Sequence, residues 1–143
     1  MKQQAVTLLV VEDDEIDREL ILRSLLRARI GNPVVMAADG IEALAVIRGS
    51  GDEPALARPY VVILDLNMPR MNGLEFLREL RSDKAFAATT VFVLSTSGAD
   101  ADLEAAYSHQ IAGYIQKDRA GLEFLGLIDM LDSYWRVVTL PER

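Results

Sequence analysis

Five short apolar runs, most of them broken off by a charged or hydroxyl residue, set the strongest limit on how this chain can fold. Val6 to Val11 (VTLLVV) stops at Glu12-Asp13-Asp14, and Pro33 to Ala37 (PVVMA) leads into an Asp39-Gly40 turn. Tyr60 to Leu64 ends at Asp65, Val91 to Leu94 ends at Ser95, and Gly113 to Gln116 (GYIQ) ends at Lys117. None of these runs alternates apolar with polar, as a strand with one wet face would, so each reads as a strand buried on both faces. Between them lie stretches with helical spacing. From Glu15 to Arg29 the apolar positions are Ile16, Leu20, Ile21, Leu25 and Ala28, with Asp13 or Asp14 placed to cap the start and Gly31 just past the end. Ile41 to Arg48, Gly73 to Arg81, Ala101 to Ser108 and Leu122 to Arg136 supply four further helices. Gly49 to Pro59, with two glycines and two prolines, is a surface loop.

Strands and helices in strict alternation predict an α/β domain with a doubly wound, five-stranded parallel sheet and five helices. At 143 residues and 50% hydrophobic content the chain fits one domain, residues 1–143, with a C-terminal extension over about 134–143. The longest apolar runs fall far short of the roughly 20 residues needed to span a bilayer, and no secretory signal opens the chain. Zero cysteines removes disulfides and thiolate chemistry and suits the cytoplasm. With 15 Lys plus Arg against 22 Asp plus Glu, the net charge of −7 opposes nucleic-acid binding, and no basic patch offsets it.

In a doubly wound sheet ligands bind beyond the carboxyl ends of the strands. Glu12, Asp13, Asp65, Ser95 and Lys117 all belong to that edge. Converging carboxylates repel one another unless a divalent cation or a lysine balances them, and an oxygen-preferring ion such as Mg²⁺ fits. The set matches the needs of phosphoryl transfer, which are positioning and charge neutralisation. Asp65 is the expected nucleophile, Glu12 and Asp13 the metal holders, with the Asn67 main-chain carbonyl completing the shell. Lys117 pairs first with carboxylate and then with phosphate, and Ser95 donates a hydrogen bond to a phosphoryl oxygen. Taken singly, each has a plainer reading: the acidic run as a capping loop, Lys117 as a surface lysine, Asp65 as a turn cap. Their coincidence at successive strand ends favours the joint site.

LLVVEDDE, VVILDLNMPRMNG, VFVLSTS and GYIQK together resemble the signature blocks of the response-regulator receiver domain of two-component signalling. The resemblance implies a CheY-like, flavodoxin-like fold with strand order 2-1-3-4-5. It implies that Asp65 is the phosphoacceptor, Glu12 and Asp13 the metal-binding pair, Ser95 the conserved hydroxyl and Lys117 the conserved lysine. Tyr114 falls where receivers carry a switch aromatic, expected to swing inward on phosphorylation; by spacing alone it is equally an ordinary half-buried ring. One departure is that receivers usually follow this lysine with a proline in a cis bond, whereas Asp118 stands here. A non-proline cis bond costs about 2.5–4 kcal/mol, so a trans bond and a differently shaped loop are expected.

The resemblance further implies a histidine kinase as donor in trans, with His109, the single histidine, a surface residue. Only one helix and a tail follow Lys117, so output is expected through protein contact. The ending YWRVVTLP resembles small receivers that serve bacterial and cyanobacterial phytochromes, which implies a bacteriophytochrome kinase and a homodimer. Leu127, Met130, Tyr134, Trp135, Val137, Val138 and Leu140 are the expected partner-facing residues, the alternative being a tail packed on its own domain. A haloacid-dehalogenase-type phosphotransferase would need a second Asp where Asn67 stands. A constitutive protein-binding pseudo-receiver would lack the acidic pair, the acceptor or the lysine. Self-phosphorylation and self-dephosphorylation are the only reactions expected.

Overall fold

The computed structural model describes residues 5–119 and 124–141. Its five strands are β1 (Thr7–Val11), β2 (Val34–Ala37), β3 (Tyr60–Leu64), β4 (Thr90–Ser95) and β5 (Gly113–Gln116). The helices are α1 (Glu15–Arg27), α2 (Gly40–Arg48), α3 (Gly73–Ser82), α4 (Asp100–Tyr107) and α5 (Leu125–Val137). All strand pairs are parallel and the order is β2-β1-β3-β4-β5, as expected.

The sheet has apolar side chains on both faces, which is why its strands show no alternation in sequence. Leu9, Val11, Val62, Leu64, Val91 and Val93 point into one core with Ala43, Leu44 and Ile47 of α2 and Phe76, Leu77 and Leu80 of α3. Leu8, Val10, Val61, Ile63, Phe92 and Leu94 point into the other, with Ile21 and Leu25 of α1 and Leu127, Ile128 and Leu131 of α5. Burying each such side chain contributes about 1.5–3 kcal/mol, so the central strands are the most firmly held part of the chain.

Helix α1 ends earlier than its apolar spacing predicts. Ala28 is the cap, Arg29 takes the left-handed conformation (φ 57°), and the Arg29 and Ile30 amides donate to the Leu26 and Leu25 carbonyls. This is a Schellman stop with arginine in the place glycine usually fills. Gly31, the expected terminator, lies two residues further on. The predicted start of the last helix at Leu122 lies outside the described residues; α5 is described from Leu125, after Phe124 in the left-handed region (φ 63°).

Two of the residues expected to face a partner do not. Leu127 and Leu140 are 2% and 8% exposed and belong to the chain's own core. Leu140, three residues beyond the end of α5, joins the same buried core as Leu127, Ile128 and Leu131 of that helix. Met130, Tyr134 and Trp135 pack half-buried against that core, Tyr134 edge-on to Phe92 with ring centroids 5.0 Å apart. Val137 and Val138 remain exposed.

Candidate functional site

The parallel register carries the ends of β1, β3, β4 and β5 to one edge. There the Glu12 amide donates to the Ala37 carbonyl, and the Asp65 amide to the Val11 carbonyl at 3.0 Å. Glu12 and Asp65 are therefore fixed by the sheet itself and are 2% and 6% exposed, whereas Asp13 is exposed. Oxygens of Glu12, Asp13 and Asp65 lie within 4.8 Å of one another.

Glu12 shows the strain of that crowding. Burial, followed by the close approach and charge of the Asp65 carboxyl, pushes the Glu12 carboxyl up to about 8 against the pull of Lys117. Its Oε2 is buried with no hydrogen-bond partner, a costly state for a carboxylate oxygen. An orphaned carboxylate oxygen beside two further carboxylates is a donor set suited to a hard divalent cation.

Lys117 reaches the edge from the end of β5. Its Nζ donates to Glu12 Oε1 at 2.5 Å and to Asp17 Oδ2 at 2.7 Å, and lies 4.0 Å from Asp65 Oδ2. Burial alone lowers a lysine, but the bonds to Asp17 and Glu12 outweigh it and hold the ammonium above its ordinary range. Lys117 opens a 3₁₀ turn, Lys117–Arg119. Its bond to Asp118 is not cis, since Arg58–Pro59 is the only cis bond among the described residues, and Asp118 is exposed. The lysine reaches the acidic edge without the proline.

Asp17 has no sequence signal. It is one of five acidic residues among positions 12 to 17, and only the fold, which brings Lys117 at the end of β5 to the first turn of α1, selects it.

The loop after β3 is pinned at both ends. The Asn67 amide donates to Asp65 Oδ1 at 3.3 Å, so the contact seen is through its N–H. The loop closes at Gly73, whose amide donates to the Leu66 carbonyl, and a Cβ there would stand 2.6 Å from the Asp65 carbonyl oxygen. Asn72 then caps α3 in a reciprocal capping box with Glu75. From the middle of the loop, Arg70 pairs with buried Asp39 at the start of α2, its Nε 2.6 Å from Oδ2.

Ser95 is fully buried, and its Oγ accepts from the Ser97 amide at 3.1 Å. Tyr114 lies half-buried against the core, its hydroxyl donating to the Ser97 carbonyl at 2.9 Å. The Tyr107 hydroxyl accepts from the Tyr114 amide at 3.2 Å. The groove of about 460 Å³ between the turn after α1 and the C-terminal tail is lined by none of these residues.

A parallel 2-1-3-4-5 sheet with clustered carboxylates, a hydroxyl and a lysine at its carboxyl edge defines a receiver. Residues 8–129 match the family of the response regulator receiver domain, and the chain belongs to that family. It is 30% identical to response regulator Rcp1 of Synechocystis sp. over 135 residues, which span 94% of this chain and 92% of that one. Among solved structures it superposes on the phosphorylated cyanobacterial phytochrome response regulator RcpA (TM-score 0.85, 34% identity, 96% and 99% of the two chains). It also superposes on the Mn²⁺-bound form of response regulator Rcp1 (TM-score 0.82, 31% identity, 95% and 99% of the two chains).

Proposed function

We propose that this chain, as one receiver domain over residues 1–143, takes a phosphoryl group onto Asp65 from a histidine kinase in a Mg²⁺-dependent reaction. The observation that carries the reading is the convergence of Glu12, Asp13 and Asp65 within 4.8 Å beside the Lys117 ammonium. Glu12 and Asp13, with Asp65 and the Asn67 main-chain carbonyl, would hold the ion. When bound, it neutralises charge on the phosphoryl oxygens.

A carboxylate oxygen of Asp65 attacks phosphorus. The bond from phosphorus to the donor's imidazole nitrogen breaks, its electron pair leaves with that nitrogen, and an acyl phosphate remains on Asp65. Lys117, already 4.0 Å from Asp65 Oδ2, meets the added negative charge. Ser95, at the end of the next strand, turns its hydroxyl proton to a phosphoryl oxygen. Drawing Ser95 in pulls on Ser97 and so on Tyr114, which relays the change to the surface of α4, β5 and α5.

Output then runs through protein contact. The likeness to the phytochrome response regulators supports a bacteriophytochrome-type kinase as donor, in the cytoplasm. It also supports a homodimer through Met130, Tyr134, Trp135, Val137 and Val138. No described helix is long and apolar enough to cross a membrane.

The test is intact mass after incubation with acetyl phosphate, with and without Mg²⁺, on wild type and Asp65→Asn. A single phosphoryl adduct that needs Mg²⁺ and is lost in the variant is the expected result. A wild type without adduct overturns the reading.

A further inference from the structure

Lys117 is bound by two carboxylates, and only Glu12 belongs to the acidic cluster. Asp17 stands on the first turn of α1, where its amide donates to Asp14 Oδ1 at 3.2 Å. Its carboxylate, 2.7 Å from Nζ, is outside the triad of Glu12, Asp13 and Asp65. The Asp17 and Lys117 side chains are 21% and 12% exposed, so the pair is better shielded from solvent than an ordinary surface ion pair.

The two carboxylates face different demands. Glu12 is needed both by Lys117 and by any cation held at the cluster. A divalent cation held there would draw on Glu12 and repel the ammonium, since like charges close together in a partly buried site are weakly screened. Asp17 has no such second claim. Nor does the backbone fix the lysine, because Asp118 follows it and brings none of proline's fixed φ.

We propose that Asp17 is a positioning residue for phosphoryl transfer: the counter-charge that keeps the Lys117 ammonium beside Asp65 when the acidic cluster holds its cation. This rests on the phosphoacceptor reading above. Anchored on a capped helix, Asp17 leaves the lysine near the acceptor oxygen without a direct bond to it, ready for the arriving phosphoryl group.

The test compares wild type, Asp17→Asn, Asp17→Glu, Lys117→Met and the Asp17→Asn/Lys117→Met double variant. The readouts are the rate of adduct formation from acetyl phosphate at saturating Mg²⁺ and the affinity for Mg²⁺ alone, from the shift of Tm. Loss of the anchor should slow adduct formation about tenfold, with Mg²⁺ affinity kept within about threefold. Asp17→Glu should recover part of the rate, and Asp17→Asn should have no effect once Lys117 is gone, because both changes remove one interaction. A wild-type rate in Asp17→Asn, or an equal further loss in the Lys117→Met background, overturns the proposal while leaving Asp65 as acceptor. A wild type without adduct overturns both.

Discussion

The Tyr114 hydroxyl on β5 donates to the Ser97 carbonyl at 2.9 Å, and so ties the last strand to the loop that Ser95 also holds. Tyr114→Phe removes that single bond and keeps the ring in the core. The expected cost is about 0.5–1.5 kcal/mol in urea unfolding. Amide exchange should quicken at residues 96–99 and stay unchanged in β1 and β3. Unchanged exchange in the loop would mean that the hydroxyl does not restrain it.

Divalent-cation binding at the acidic edge has its own signature. Mg²⁺ should raise the Tm of wild type in a concentration-dependent way, by the stabilisation that follows from binding only the folded form. Glu12→Gln and Asp13→Asn each remove a carboxylate from the cluster and should abolish most of that shift. A Tm rise of wild-type size in both variants would place the ion elsewhere.

Asp39 couples the start of α2 to the loop carrying Asp65. Burial raises its carboxyl, but the Glu42 amide and the Arg70 guanidinium outweigh this and hold it below the ordinary 3.8. A carboxyl lower in the folded state than in the unfolded one stabilises the fold above the unfolded value, and that contribution is lost as pH falls through the folded value. Asparagine can still cap the helix, so Asp39→Asn removes mainly the charge on Arg70, whose side chain is largely exposed. The expected destabilisation is about 1 kcal/mol. It should be constant from pH 7 down to about 4 and shrink below that, as read by denaturant midpoints. A difference that grows on acidification would contradict the assignment.

Arg81 on α3 donates to four carbonyls, those of Ala87, Thr89, His109 and Gln110, at 2.7–3.0 Å. It closes the turn before β4 and the turn before β5 with one planar fork. Arg81→Ala leaves these carbonyls without their donor and should cost about 2–4 kcal/mol. Arg81→Lys should recover less than half, because a point ammonium cannot reproduce the fork.

Gly73 admits no side chain, since a Cβ would stand 2.6 Å from the Asp65 carbonyl oxygen and 2.7 Å from Leu66 Cα. Backbone on both sides leaves little room to yield. Gly73→Ala should lose about 1–3 kcal/mol and slow adduct formation at Asp65, whereas Gly31→Ala, with open space around it, should do neither.

The sheet was legible because its three central strands are buried on both faces, the edge strands β2 and β5 being half-buried but still largely apolar, and because most strands end at polar residues, which marks the strands and the site edge together. Glu12, Asp65 and Ser95 follow from that alone, each being the residue at which an apolar run gives out, and Lys117 is the charged residue directly after the last strand. Asp17 was not legible, since its partner lies far along the chain and its neighbours in sequence are equally acidic. The stop of α1 at Arg29 was hidden because the spacing continues to Ala28 and a glycine stands nearby at Gly31. Leu127 and Leu140 looked like an outward face because periodicity along α5 does not say which apolar residues meet the sheet, and Leu140 lies beyond the helix, where there is no periodicity to read.

Helix α4 buries one side chain, Ala106, and leaves Leu103 and Tyr107 at 37% and 49% exposure. Its outer residues therefore contribute little to folding and can be rewritten without threatening the core or the acidic edge. On the phosphoacceptor reading proposed above, the chemistry and part of the choice of listener would sit on separate parts of the chain. On that reading, a receiver built this way could acquire a new downstream target through changes on an exposed helix surface, with Asp65 left untouched.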